Sequence, residues 1–132
     1  MRIEFFMAME PPTSTHQMKK ARCVKGKPQF YESTELQAVR SKLKGHLAGH
    51  IPSERVYGAL RLITKWCFPV TDKHNQDGEY KTTRPDTDNM IKLLKDVMTD
   101  LGYWYDDAQV ASEITEKFWA KVPGIYVVIE SL

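Results

Sequence analysis

Apolar positions recur along this chain with two different periods, and the changes of period mark its elements. Residues 2 to 9, RIEFFMAM, are rich in strand formers and stop at Pro11-Pro12, which predicts a first strand. A second short strand is expected at PQFY, residues 28 to 31. Ser33 and Thr34 then offer helix caps, Thr34 with Gln37 makes a capping box, and Leu36, Val39, Leu43 and Leu47 follow at helical spacing until Gly49. From Val56 to Phe68 the period becomes two. Val56, Leu60, Leu62, Trp66 and Phe68 share one face, and Arg55, Arg61 and Lys65 the other, a strand that Pro69 ends. Residues 71 to 85, TDKHNQDGEYKTTRP, read as a long polar loop. After Pro85, Met90, Leu93, Leu94, Val97, Met98 and Leu101 return to helical spacing, with Gly102 placed as a C-terminal cap. Two more strands are predicted near 109 to 120 and 125 to 130, separated by Pro123-Gly124.

Together these elements predict an α+β fold, a mixed and mostly antiparallel sheet packed with two main helices. At 132 residues the chain is expected to form one small domain spanning 1 to 132. Apolar residues at 42% and charged residues at 27% give an ordinary globular balance and exclude disorder as the main state. Met1 to Met9 lacks the long hydrophobic region and cleavage site of a signal peptide, and no later segment approaches the ~20 apolar residues that span a bilayer. Cys23 and Cys67 lack the spacing of a zinc site or redox pair. The expectation is a reduced, cytoplasmic protein with no membrane role. His16, His46, His50 and His74 share no helical face suited to zinc and read as surface or loop residues.

The formal charge of +2 is too mild to imply a polyanionic partner, but its distribution is uneven. Lys19, Lys20, Arg22, Lys25 and Lys27 form a run without an acid, suited to neutralising phosphates and equally to a solvated loop or edge strand. Lys73, His74, Lys81 and Arg84 in the long loop have the same two readings, a polyanion contact or a solvated linker.

Chemistry concentrates in RPDTDN, residues 84 to 89, and YWYDDAQV, residues 103 to 110, which bracket the second helix with carboxylates. Magnesium takes hard oxygen ligands and keeps several waters, so a few carboxylates and a substrate phosphate suffice to hold it. From Asp88 to Leu101 the helix rises about 20 Å. An extended return from Gly102 to Asp107 covers roughly 17 Å, which would bring Asp107 back to the helix start. On such a strand Asp106 and Asp107 point to opposite sides, and spacing does not choose between them. Lys92 lies four residues after Asp88, either as an ordinary i,i+4 ion pair or as a cation facing a phosphoryl transition state. Asp86 and Asp88 also read as helix caps, although one cap needs one Asp. DTDN lacks the glycine and terminal glutamate of an EF-hand.

RPDTDN, Lys92 and WYDDAQV together resemble the signature of the RusA-type Holliday junction resolvases, mostly phage or prophage enzymes. A weaker echo lies in MAMEPPTSTHQMKK. The resemblance implies a homodimer that binds four-way DNA junctions and makes paired, symmetrical cuts with Mg²⁺ or Mn²⁺, leaving 5′-phosphate and 3′-hydroxyl ends. It assigns Asp86, Asp88 and Asp107 to the metal, favouring Asp107 over Asp106, and makes Lys92 the catalytic lysine. It also implies an aromatic side chain beside the site that distorts the junction, for which Tyr80 is the candidate. The basic residues 19 to 27 and the 71 to 85 loop would then hold phosphate backbones, selecting branch shape over base identity. Two rivals are a DxD transferase, for which the chain lacks a separate nucleotide-binding half, and a non-catalytic or broader-specificity branched-DNA-binding phage accessory protein. A purely binding role gains little from three acids facing a polyanion.

Overall fold

The computed structural model describes residues 1–13, 19–24 and 26–132, with 19–24 and 28–31 described by the course of the backbone alone. In chain order the elements are β1 (Arg2–Met7), β2 (Lys19–Val24), β3 (Lys27–Glu32), α1 (Thr34–Leu47), β4 (Leu60–Pro69), α2 (Thr87–Leu101), β5 (Val110–Ala120) and β6 (Gly124–Ser131). The main sheet runs β1-β6-β4-β5, and β2 pairs with β3 in a separate two-stranded sheet. Every pairing is antiparallel except β4 with β5. That parallel pair is joined through α2, because a parallel neighbour requires a crossover and the crossover here is the helix. This is the α+β architecture that the periodicity predicts.

The strict alternation in β4 buries Leu60, Leu62, Thr64, Trp66 and Phe68. They join Phe5 and Met7 of β1 and Ile125, Val127 and Ile129 of β6 in one core with the apolar stripes of both helices. Leu36, Leu43 and Leu47 come from α1, and Met90, Leu93, Leu94, Val97 and Met98 from α2. Truncating any one of these leucines to alanine would cost about 2–5 kcal/mol. The Trp66 indole N–H donates to Thr64 Oγ1 at 2.9 Å, so these two buried polar groups satisfy one another inside the core.

The basic stretch Lys19–Val24 is a strand paired with β3, the edge-strand alternative of its two structural readings. Two local expectations shift. Ser33, rather than Thr34, caps α1, its Oγ accepting from Leu36 N at 3.1 Å, and Gln37 reaches the Glu32 carbonyl instead of closing a box. The strand predicted from Val56 begins at Leu60, because Gly58 adopts φ +76° and breaks the extended course. Val56 remains buried and forms a single bridge to Trp104. Among the described residues no helix is long and apolar enough to cross a membrane.

Candidate metal and DNA site

Pro85 is buried and Asp86 takes the N-cap position of α2, with φ −74° and ψ 145°. The Asp86 carboxylate makes no capping hydrogen bond, so the cap explanation for this residue fails. Asp88 lies in the first turn, where an acid complements the positive helix end. Both residues are exposed, and neither carboxylate pairs with another described side chain. No ion pair forms between Asp88 and the exposed Lys92 either. Lys95 instead pairs with Glu113 at 2.9 Å, and Asp96 lies 3.7 Å from Arg40.

The segment leading into α2 is less of a free loop than its polarity suggests. Gly78 N donates to Trp119 O, Trp119 N to Glu79 O and Lys81 N to Lys117 O, at 2.8, 2.8 and 3.0 Å, so residues 78 to 81 line the outer edge of β5. The Lys117 ammonium, also on β5, donates to the carbonyls of Thr83 at 2.7 Å and Pro85 at 2.8 Å. Tyr80 is exposed, stacks on Phe118 with ring centroids 4.8 Å apart, and donates to Glu116 at 3.0 Å.

At the other end of α2, Gly102 adopts φ +87° as a left-handed cap, and the next two aromatics turn inward. Tyr103 and Trp104 are fully buried; the Tyr103 hydroxyl donates to Leu47 O at 2.5 Å and the Trp104 indole to Thr99 Oγ1 at 2.7 Å. Burial pushes the Tyr103 phenol well above its ordinary range. A 3₁₀ turn, Asp107–Gln109, follows. Asp106 caps it by accepting from Ala108 N at 2.8 Å, while Gln109 Oε1 accepts from Tyr105 N and Asp106 N at 2.7 and 2.9 Å. Gln109 Nε2 donates to the carbonyls of Val56 and Gly58, at 2.9 Å each. Asp106 is thereby committed to the turn, whereas the exposed Asp107 carboxylate makes no hydrogen bond or ion pair with a described residue.

The return leg therefore runs differently from the extended path expected. Tyr103 and Trp104 anchor the chain under the end of α2, and β5 makes the return only after Asp107. Lys95 meets Glu113 partway along, and Pro85 meets Lys117 near the helix start. Asp107 lines a cleft of about 580 Å³ with Glu32, Arg40, Asp96, Thr99, Asp100, Tyr105 and Asp106. Asp100 stands ~18 Å along the helix from Asp88 at ~1.5 Å per residue. The three aspartates do not converge within one chain, and among the described residues no three His, Cys, Asp or Glu side chains form a metal cage. Asp86 and Asp88 alone fit part of a magnesium site, an ion that needs one or two carboxylates beside water and phosphate.

Of the basic residues singled out, Lys27, Lys73 and Arg84 are exposed. Lys25 and the side chains of Lys19, Lys20 and Arg22 lie outside what is described. Lys81 is only 8% exposed, with its ammonium 4.1 Å from the Trp119 ring centroid and 5.2 Å from that of Phe68. Burial, and then the nearby Lys117 charge, pushes the Lys81 pKa below the usual lysine value. His50 is on the surface and His74 in the loop, as expected, and each ring stacks on an aromatic neighbour, His50 on Phe5 and His74 on Trp119. Gln109 and Lys117 escaped the sequence reading. Asp106 with Gln109 three residues later is a capping-box pattern that marks the first; nothing local marks Lys117.

The chain matches the family model described as Endodeoxyribonuclease RusA over residues 10–130. It is 32% identical over 117 residues to the crossover junction endodeoxyribonuclease rusA of Lactococcus phage r1t, covering 83% of each chain. It is also 39% identical over 51 residues to the uncharacterized protein YqaN of Bacillus subtilis strain 168, covering 39% of this chain and 35% of that one. The match encloses α2 with both of its ends, and the chain belongs to the RusA family of endodeoxyribonucleases.

Proposed function

We propose that this protein is a divalent-metal-dependent endonuclease that resolves four-way DNA junctions as a homodimer, cutting paired strands symmetrically in recombination and repair. The observation that carries the reading is the state of three carboxylates: Asp86, Asp88 and Asp107 are exposed and uncommitted among the described residues, while their neighbour Asp106 is used as a cap. Their distribution between the two ends of one helix gives the dimer a chemical purpose. A two-fold axis through the middle of α2 would set two copies of the helix antiparallel, bringing Asp86 and Asp88 of one protomer against the Asp107 end of the other. Each dimer would then hold two equivalent sites, matched to a two-fold symmetric junction.

In each site Asp86 and Asp88 of one chain, with Asp107 of the second, would hold Mg²⁺, or Mn²⁺ in its place as another oxygen-seeking ion. The ion, when bound, supplies an activated water and charge for the phosphate. Lys92, exposed near the proposed axis and free of Asp88, is placed to offer its ammonium to a phosphate oxygen. Exposed Lys27, Lys73 and Arg84 would contact phosphates, with Lys19, Lys20, Arg22 and Lys25 continuing the basic run, in the cytoplasm where the DNA substrate lies. Lys81 is too buried for the same role without a rearrangement.

The test is cleavage of a labelled four-way junction, a linear duplex and a flap, with and without Mg²⁺, by wild type, Asp88→Asn and Lys92→Ala. Wild type should cut the junction only with metal, and both variants should bind it uncut. Binding without any cutting would leave a branched-DNA-binding accessory protein; equal cutting of linear duplex would keep the nuclease and remove the junction assignment.

A further inference from the structure

We infer that Lys117 is a positioning residue that sets where Asp86 stands, and through it how tightly this end of α2 holds a divalent ion; the inference rests on Asp86 being a ligand, as proposed above. Lys117 sits in β5, paired with Trp66 of β4 on one side and accepting from Lys81 N on the other. From that fixed base its ammonium donates to Thr83 O and to Pro85 O, the last carbonyl before Asp86. It forms no ion pair with a described carboxylate; the charge is spent on two backbone acceptors. Lys81 grips the same segment, its ammonium donating to Thr83 Oγ1 at 2.5 Å while packed beside Trp119 and Phe68.

Two ammonium groups that repel one another thus hold the short stretch Thr83 to Pro85. A neutral donor would staple a loop without that repulsion, but charge-assisted hydrogen bonds hold a carbonyl more firmly. Firmness matters at this position because Asp86 makes no cap bond that would anchor its own side chain. The peptide plane entering Asp86 is fixed by Lys117, and the carboxylate starts from there.

The sign of one measurement separates positioning from field. Removing a positive charge near a divalent ion should tighten binding by Coulomb's law alone. Losing the clamp should weaken it. Binding of Mn²⁺ to DNA-free protein, followed by the electron paramagnetic resonance of the free ion, is compared for wild type, Asp86→Asn, Lys117→Met and Lys117→Arg. Amide hydrogen exchange of Thr82, Thr83, Arg84 and Asp86 is measured in the same proteins without metal. Lys117→Met should bind Mn²⁺ about ten-fold more weakly or worse, the scale of losing a group that orients a ligand, and should exchange these amides faster. Lys117→Arg should recover most of both. Unchanged or tighter binding by a folded Lys117→Met overturns the inference while leaving the metal reading intact. Wild type and Asp86→Asn binding Mn²⁺ equally removes Asp86 as a ligand, and both readings fall. If Lys117→Met does not fold, Lys117→Gln, with a shorter neutral donor, is judged by the same outcomes.

Discussion

Asp106 and Asp107 are adjacent, identical in chemistry and both exposed, yet they should respond oppositely to substitution. Asp106 accepts from Ala108 N at the head of the 3₁₀ turn. Losing an N-cap acceptor costs about 0.5–2 kcal/mol, and the solvent available to Ala108 places this site in the lower half of that range. For a chain of this size 1 kcal/mol corresponds to ~4 °C in Tm, so Asp106→Ala should melt roughly 2–4 °C below wild type. Asp106→Asn keeps a side-chain acceptor and should melt close to wild type. Asp107 holds no described partner, so Asp107→Asn should leave Tm within the ~0.5 kcal/mol expected of surface changes. Its cleavage rate should nevertheless fall by at least ~100-fold, because a ligand is lost rather than a group behind one. Thermal unfolding and a single-turnover junction assay on the same preparations give both numbers. Full activity in Asp107→Asn together with an inactive Asp106→Asn would refute the division of labour between the two.

Two further predictions follow from the packing. Gln109→Ala removes all four hydrogen bonds of one amide, which tie the 105 to 109 turn to Val56 and Gly58; at about 0.5–1.5 kcal/mol each it should cost roughly 2–4 kcal/mol once solvent replaces some of them, and cleavage should fall with the displaced Asp107. A Cβ on Gly124 would stand 2.1 Å from the edge of the Phe6 ring and 2.6 Å from Met7 O. The ring can swing but the strand carbonyl cannot, so Gly124→Ala should lower stability by about 1–3 kcal/mol in denaturant unfolding while leaving metal dependence unchanged.

Much of the fold was legible because burial follows period. The β4 alternation and the α2 stripe both pack in the core or against it, joined by Ile91 from outside the stripe, and Gly102 ends α2 as its position implied. The start of α2 was equally readable, with Asp86 at its N-cap and Asp88 in its first turn, both exposed. What failed was the path between elements. An extended return after Gly102 treats Tyr103 and Trp104 as spacers, whereas their rings are core residues that hold the chain at the far end of the helix. The consequence was an expected convergence of carboxylates that a single chain does not make. Lys81 and Lys117 were unreadable for a related reason: their roles arise from the pairing of residues 78 to 81 with β5, a contact between segments some 36 positions apart that no local pattern encodes.

The measurement that bears most directly on the proposed site mixes two inactive proteins. Asp88→Asn and Asp107→Asn are unfolded together, refolded as a mixture, and assayed for nicking of a four-way junction, with differential tags reporting mixed dimers. If each site draws Asp86 and Asp88 from one chain and Asp107 from the other, every mixed dimer contains one doubly altered site and one intact site. Random pairing makes half the dimers mixed, so the mixture should recover about a quarter of wild-type nicking, given a symmetric dimer with two sites. A mixture that contains mixed dimers and remains as inactive as either variant alone would contradict the shared site.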